Sequence, residues 1–336
     1  MVFALVLLAI LLLVGVASLS RVLTHIVALA EGGSEEYGPD LQEVLLEDNH
    51  ASDKLAVLDV EGVIGTGYLG GDEDLVELVR HQLKRAERDK SIKGVLLRVD
   101  SPGGEVLASD DISHLITDFQ QKTGKPVVAS LGALAASGGY YVAVPARWIV
   151  AHELTLTGSI GVLMNGYNYR GLMNKVGVRP EIIKSGRFKD MMSPSRADEE
   201  IPPEERKMLQ ALVDETFGRF KQVVAEGRGQ AHKQNKPQGR ALASDWEQYA
   251  DGRVLSGKQA YDLGFVDELG SFRAAVAAAR RLAKLDRANL VQYRQPFDFT
   301  KMFRLFGQAH TRGVKIDLGV EWPRLQPGRL YYLFLP

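Results

Sequence analysis

The chain has 336 residues, of which 45% are hydrophobic and 25% charged, so it can bury the core of one large or two smaller domains. Its formal net charge of -1 provides no polyelectrolyte attraction to nucleic acid, and we expect no nucleic-acid partner. The chain contains no cysteine, which excludes disulfides, cysteine nucleophiles and thiolate metal sites.

The N-terminus is an almost unbroken apolar run at residues 2–20, about the length that spans a bilayer as a helix, and Arg21 ends it. A cleaved signal peptide is the alternative, but no Lys or Arg precedes the run, and it is longer than a usual signal core. We therefore expect residues 1–30 to be a single-pass anchor in contact with membrane lipid. Residues 31–53 are acidic and contain glycine, which is typical of a linker or stalk.

The next part of the chain alternates between strand and helix patterns. Strands are predicted at residues 55–64, 94–99, 126–131 and 148–151. Helices are predicted between them at residues 74–90, 106–121 and 137–144. Such alternation implies a parallel sheet with helices on its faces, so the predicted fold class is α/β.

The second half of the chain is mostly helical in pattern. Helices are predicted at residues 202–225, 256–263 and 272–283, with a strand at 180–184 and a polar loop at 230–238. The chain ends in an apolar tail at residues 330–335, which is far too short to span a membrane. Since a free apolar tail promotes association, we expect it to pack against its own domain or a neighbouring subunit.

Ser137 lies in the run Ala-Ala-Ser-Gly-Gly-Tyr-Tyr, the most informative stretch of the sequence. Its small neighbours leave the hydroxyl open, and the two glycines allow close approach of the backbone to another group. At the start of a helix the hydroxyl would lie in a positive field beside backbone N–H donors. This pattern is typical of a serine nucleophile, although a small-residue helix start can also serve close packing alone.

Three further segments carry candidate chemistry. The sequence Asp-Ser-Pro-Gly-Gly at residues 100–104 follows a predicted strand and predicts a turn at the sheet edge where open α/β sheets bind ligands; an ordinary βα turn is the alternative. Residues 155–162 form a small hydroxylated loop, and residues 185–194 follow the strand predicted at 180–184.

A serine nucleophile needs a base, and the sequence offers two types. His152 is the only histidine predicted near the sheet edge close to Ser137. A lysine in a dry pocket is the other type, because desolvation favours its neutral form, which can accept the serine proton. Lys189, between Phe188 and two methionines, has such a setting, whereas a surface lysine paired with Asp190 is the alternative.

Together, these four segments in this order resemble the signal peptide peptidase A family, the Ser/Lys membrane-bound serine peptidases of bacteria and archaea. The resemblance covers about residues 55–269, including Gly-Phe-Val-Asp-Glu-Leu at 264–269. It implies a ClpP/crotonase-type fold of repeated β-β-α and βα units after one transmembrane helix. The peptidase domain would occupy residues 54–294, followed by a C-terminal extension with the apolar tail at 295–336.

The resemblance also implies roles for single residues. Ser137 is the nucleophile and Lys189 the general base, while Ser159 hydrogen-bonds the lysine amine and orients it. The backbone N–H groups of Gly104 and Gly138 form the oxyanion hole.

The lysine segment departs from the family at two places. The common family form has a lysine where this chain has Arg187, which would stay protonated and could not act as the base. Met191 and Met192 replace a glycine that is often present, so the shape of this loop is not predicted.

The chain has the short, single-copy form, whereas longer relatives duplicate the domain and carry Lys and Ser in different halves. By analogy, we expect the dyad to form between neighbouring subunits of a ring-shaped homo-oligomer. The apolar tail would then be an inter-subunit element, or lie in a neighbour's cleft like a substrate.

The function implied is that of a membrane-anchored serine endopeptidase at the cell membrane, with its catalytic domain outside the cytoplasm. Expected substrates are extended apolar peptides, including remnant signal peptides, with small or apolar residues at the cut, and no metal or organic cofactor is expected. Two alternatives stay open: an acyl-CoA enzyme of the crotonase type, and a non-catalytic membrane scaffold with a peptidase fold.

Overall fold

The computed structural model describes residues 41–65, 74–295 and 329–334. The expected anchor at residues 1–30 lies outside these ranges, and the C-terminal extension is described only at residue 295 and at 329–334. Within the described ranges, no helix has both the length and the apolar character needed to cross a membrane.

Within the described residues, the strands are β1 (Gln42–Glu47), β2 (Lys54–Ile64), β3 (Ile92–Glu105), β4 (Val127–Ala136), β5 (Trp148–Ala151), β6 (Leu156–Gly158), β7 (Leu163–Met164), β8 (Val254–Ser256), β9 (Glu268–Leu269), β10 (Asn289–Arg294) and β11 (Leu330–Leu333). The helices are α1 (Leu75–Arg88), α2 (Val106–Thr123), α3 (Gly138–Ala143), α4 (Arg170–Lys175), α5 (Pro203–Gln234), α6 (Gly257–Asp262) and α7 (Phe272–Ala283). Short 3₁₀ turns occur at Asp198–Glu200 and Trp246–Tyr249.

All eleven strands belong to one mixed sheet, whose main order is β1-β10-β2-β3-β4-β5-β9. The pairs from β10 to β9 are parallel, and β1 is antiparallel to β10. The predicted α/β class and the predicted parallel core are therefore confirmed. β6 pairs parallel with β4 and antiparallel with β8.

The central strands are buried on both faces, which explains their nearly continuous apolar sequences. Successive side chains of β2 point to opposite faces, so Ala56 and Leu58 join the core under α1, α2, α3 and α5. Leu55 and Val57 lie on the other face, against the alanines of α7. We call the sheet, its packed helices and the buried second half of α5 the body.

The second half of α5 is fixed to the body by an ion pair without solvent exposure. Arg228 Nη2 lies 2.6 Å from Asp267 Oδ1, and both side chains are fully buried. Phe220 and Val224 lie on the same helix and are also buried. This packing explains why the helix continues to Gln234, where a polar loop was predicted from residue 230.

Residues 165–201, which we call the arm, connect β7 to α5 and differ from the body in burial. Arg196 is the only buried residue of the arm, all of which lies in the described range 74–295. The strand predicted at residues 180–184 is wrong, because this segment has no strand partner and Ile183 is 96% exposed.

Candidate active site

Ser137 lies where β4 ends and α3 begins, and it is only 1% exposed. Its backbone has φ 53° and ψ −119°, a conformation that non-glycine residues rarely adopt. Two main-chain hydrogen bonds hold it there: its N–H donates to Gly158 O at 2.8 Å, and its carbonyl accepts from Tyr141 N–H at 2.8 Å. Strain of this kind is found at functional sites, where the surrounding structure maintains it.

Gly138 and Gly104 meet directly beside Ser137. A Cβ atom at Gly138 would lie 3.0 Å from Gly104 N and 2.7 Å from Ser109 Oγ. A Cβ atom at Gly104 would lie 1.8 Å from the carbonyl oxygen of Ile64. Only glycine allows these backbones to approach so closely, and the two residues predicted as oxyanion donors are thereby brought together.

The segment at residues 100–104 is extended, and not the turn that was predicted. Strand β3 continues through it because β2 pairs with it in parallel, β4 pairs with it at Ser101, and β11, in the C-terminal tail, pairs antiparallel with its last residues, with Tyr332 opposite Gly104. On its other side β11 pairs antiparallel with β7. The tail therefore lies in a groove of its own chain as an extended peptide between two strands.

The carbonyl group of Tyr332 faces the two glycines. Phe334 N–H donates to Pro102 O at 2.7 Å, which makes Phe334 and Pro102 a hydrogen-bonded pair of the antiparallel ladder. Tyr332 lies opposite Gly104, two residues along the same ladder. A Cβ atom at Gly138 would lie 2.9 Å from Tyr332 O. A peptide carbonyl thus lies at Gly104 and Gly138, beside Ser137.

Ser159 lies next to Ser137 across the β4–β6 pair. Ala136 and Gly158 are partners in this register, so the two serines follow paired residues. Ser159 is 7% exposed, has φ 48°, and its N–H donates to Arg253 O at 2.8 Å. The structure therefore brings together four of the five predicted site residues.

Lys189 lies in the arm, in a turn where its N–H donates to Gly186 O, and its side chain is exposed. Asp190, its possible partner, binds Lys184 instead, with 2.7 Å between Nζ and Oδ1. This hydrogen bond from Lys184 lowers the pKa of the Asp190 carboxyl group. Arg187 lies 3.5 Å from Glu204. Among the described residues no carboxylate pairs with Lys189, so its amine is available to a group from outside the arm.

The end of the arm is attached to the start of α5 by charged groups. Arg196 Nη1 lies 2.7 Å from Glu205 Oε2, and Met192 N–H donates to Glu205 Oε1 at 3.0 Å. The shape of the turn that carries Lys189 is therefore set by these contacts, with Met192 in the left-handed region at φ 64°.

His152 is exposed at the end of β5, and its Nδ1 accepts a hydrogen bond from Leu154 N–H at 3.2 Å. The ring thus stabilises a local turn. The part of the chain that the structure describes contains no group of three His, Asp or Glu residues able to hold a metal ion.

Sequence reasoning missed the residues that surround the Tyr332 side chain. Its ring stacks on Tyr141 with centroids 4.8 Å apart and contacts Phe220 at 4.6 Å. The available signal in the sequence was the pair Tyr331 and Tyr332 in the apolar tail, because tyrosine has a large apolar ring that favours packing against other residues. Both side chains are buried in the structure.

The model of peptidase family S49 matches residues 119–286, which include Ser137, Ser159 and Lys189. A candidate signal peptide peptidase SppA of Enterococcus faecium is 36% identical over 303 residues, which cover 84% of this chain and 83% of the relative. Protease 4 of Haemophilus influenzae is 32% identical over 74% of this chain, but the match spans only 38% of that longer protein.

Among solved structures, the chain is similar to the 1510-N membrane-bound stomatin-specific protease, with 18% identity and a TM-score of 0.42, over 68% of this chain and 85% of the other. A ClpP1 from Listeria monocytogenes is similar at 17% identity and a TM-score of 0.40, over 66% of this chain and 94% of the other.

Proposed function

The chain belongs to peptidase family S49 and is a serine peptidase, and on that premise we propose that it is a membrane-anchored endopeptidase whose nucleophile is Ser137 and whose general base is Lys189. Family membership favours the peptidase over the acyl-CoA alternative. The observation that carries the proposal is the extended strand β11, whose Tyr332 carbonyl lies at Gly104 and Gly138 beside Ser137.

In the proposed reaction, the neutral amine of Lys189 accepts the hydroxyl proton as Ser137 Oγ attacks the peptide carbonyl. The N–H groups of Gly104 and Gly138 stabilise the negative oxygen that forms. The amine then returns the proton to the leaving nitrogen, and an ester remains on Ser137. Water, activated by Lys189, hydrolyses the ester.

The proposed dyad is completed between subunits. Ser137 is fixed in the body at 1% exposure, whereas Lys189 lies on an exposed arm with no carboxylate partner among the described residues. A lysine in water stays protonated and cannot act as a base, so a neighbouring surface must desolvate it. We propose that the body of a neighbouring subunit in a ring-shaped homo-oligomer does so, where Ser159 accepts a hydrogen bond from the amine.

The location and substrates are part of the same proposal. The apolar run at residues 2–20 supports a single-pass anchor in the cell membrane, with the body outside the cytoplasm. The groove between β3 and β7 binds a peptide through main-chain hydrogen bonds, which suits unfolded or extended segments. Remnant signal peptides near the membrane have this character.

A fluorophosphonate probe tests the nucleophile directly. We expect the intact protein to be labelled at Ser137, and labelling to disappear in Ser137→Ala but to persist in Ser109→Ala, which removes a nearby buried hydroxyl. Labelling elsewhere, or none in a folded protein, would contradict the proposal and favour the scaffold alternative.

Mixing two inactive variants tests the shared site. Ser137→Ala subunits retain Lys189, and Lys189→Ala subunits retain Ser137, so mixed rings contain some complete sites. We expect cleavage to return in co-assembled rings. If assembly is demonstrated but cleavage does not return, both residues act within one subunit.

A further inference from the structure

Strands β2 and β3 lose their residue-for-residue alignment directly before the candidate site. In their register, one residue of β2, Gly62, faces two residues of β3, Ser101 and Pro102. Such an extra residue is a β-bulge, which interrupts the hydrogen-bonded ladder and bends the strand. The bulge lies immediately before Gly103 and Gly104, so its conformation determines where the Gly104 N–H lies.

The hydroxyl group of Ser101 replaces main-chain hydrogen bonds that the bulge interrupts. Ser101 Oγ donates to Gly62 O at 2.6 Å and accepts from Gly103 N–H at 3.0 Å. Pro102 has no N–H, so it cannot donate to the Gly62 carbonyl itself. Ser101 and Gly103 are both buried, so solvent does not replace the hydroxyl as the partner of the Gly103 N–H.

Ser101 also packs against the start of α3. A Cβ atom at Gly139 would lie 2.5 Å from Ser101 O and 3.3 Å from Ser101 Cβ. In the adjacent strand β4, the register partner of Ser101 is Ala135, two residues before Ser137. Ser101 therefore lies between the strand that carries Gly104 and the turn that carries Ser137.

Resting on the proposed function, we propose that Ser101 is a positioning residue of the oxyanion hole, whose hydroxyl holds the bulge of β3 so that the Gly104 N–H can reach the oxygen that becomes negative. In this role Ser101 touches neither the substrate nor the reacting atoms. Its effect should appear when the carbonyl oxygen gains charge, because a hydrogen bond to an oxyanion is stronger than one to a neutral carbonyl. Binding of an unreacted peptide should depend on it little.

A peptide aldehyde and the matching peptide alcohol test this role with the full-length protein. The aldehyde of acetyl-Ala-Leu-Ala adds to Ser137: a bond forms between Oγ and the aldehyde carbon, the carbonyl oxygen takes the negative charge, and the hydroxyl proton passes to the Lys189 amine. The alcohol has no carbonyl at this position, so it binds without forming an oxyanion. The ratio of the two dissociation constants therefore measures the contribution of the oxyanion hole.

Ser101→Ala removes only the hydroxyl group. We expect the preference for the aldehyde over the alcohol to fall about 10- to 100-fold, because the Gly104 N–H is displaced and not deleted. The affinity for the alcohol should stay within about 2-fold, and kcat should fall by the same factor as the preference while KM changes little. Ser101→Cys keeps a weaker donor and acceptor, so its preference should lie between those of Ser101→Ala and the unmodified protein.

Gln120→Leu is the matched control, since Gln120 also bridges two backbone groups. Its Nε2 donates to Pro145 O at 2.8 Å, and its Oε1 accepts from Val127 N–H at 3.1 Å. Val127 begins β4, whereas Ser137 follows the end of the same strand. Ser101→Ala and Gln120→Leu should both lower the urea midpoint of unfolding, but only Ser101→Ala should lower the preference for the aldehyde.

The two ligands separate this role from the proposed function. If the unmodified protein binds aldehyde and alcohol equally, and the fluorophosphonate does not label Ser137, the proposed function fails and the role of Ser101 fails with it. If the unmodified protein prefers the aldehyde, two results overturn the role of Ser101 alone: full preference in Ser101→Ala or Ser101→Cys, or an equal loss of affinity for both ligands. A loss of preference as large in Gln120→Leu overturns it too. Should Ser101→Ala not fold, the intermediate preference expected of Ser101→Cys decides.

Discussion

In the body, Ser137 is 1% exposed and sits in a strained backbone that two main-chain hydrogen bonds maintain. In the arm, Ile183 is 96% exposed and the side chain of Lys189 faces solvent. One half of the candidate site is therefore buried within a single chain, and Lys189 lies on an exposed surface of the same chain. The two halves of the candidate site differ in burial, and this difference predicts how each responds to substitution.

The largest expected effect is the loss of activity when Lys189, in the arm, is substituted and the body is left unchanged. Lys189→Ala should reduce kcat/KM by about 100- to 10,000-fold, the usual contribution of a general base. The thermal unfolding midpoint should not change, because an exposed side chain is lost. Peptide cleavage and calorimetry on the same preparation measure the two quantities.

Lys175→Ala is the matched control, since Lys175 is an exposed lysine of the same arm. It should retain full activity. If Lys189→Ala keeps more than about a tenth of the activity, Lys189 is not the general base. The base would then be a group of the body.

The same contrast explains what the sequence could predict. Buried strands such as β2 and β5 are determined by their own apolar residues, and these were predicted within one residue of their observed bounds. The glycines at 104 and 138 were recognised because close backbone approach limits the choice of residue.

The failures have a different cause, since they depend on partners far away in the chain. Residues 100–104 are extended because β2, β4 and β11 all pair with parts of this segment. The apolar residues at 180–184 resemble a strand, but no neighbouring strand is present in the described chain, so they stay exposed. The rings that contact Tyr332 come from α3 and α5, and no local pattern links these two helices to the tail.

The second effect concerns the body alone. Asp267→Asn should lower the free energy of unfolding by about 3–5 kcal/mol, because Arg228 is left as an unpaired charge without solvent access. Urea denaturation measures the change. Asp262→Asn, which removes a half-exposed ion pair with Lys258, should cost less than about 1 kcal/mol. Equal costs for the two variants would mean that water reaches Arg228.

The third effect tests whether the apolar surface of the arm is covered in the assembled protein. Ile183→Asp should leave the stability of the isolated chain within about 0.5 kcal/mol, because the side chain is exposed there. It should weaken ring assembly and reduce activity about ten-fold, since a charge would be buried between subunits. Sedimentation measures assembly, and Ile183→Leu should behave like the unmodified protein. A fully assembled Ile183→Asp ring would place Ile183 outside the interface.

The smallest effect concerns pH. The pKa of Asp190 in the arm is lowered, whereas the pKa of Tyr332 in the docked tail is raised, so the two contacts are lost at opposite ends of the pH scale. The hydrogen bond from Lys184 lowers the pKa of Asp190, so this contact is fully present above the ordinary value near 3.9 and is lost as the pH falls through the lowered value. Burial raises the pKa of Tyr332, so docking of its neutral ring is fully present below about pH 10 and is lost as the pH rises through the raised value. Between pH 5 and 9, roughly, neither group should change charge.

Side-chain NMR titration of isotope-labelled Asp and Tyr measures both groups, with Asp190→Asn and Tyr332→Phe to assign the signals. We expect the Asp190 signal to titrate below the ordinary range and the Tyr332 signal above it. In Tyr332→Phe, the tail should stay docked to a higher pH than in the unmodified protein, since residue 332 no longer carries a phenol that can ionise. A Tyr332 signal at the ordinary value would mean that water reaches its ring and that the tail is not docked in solution.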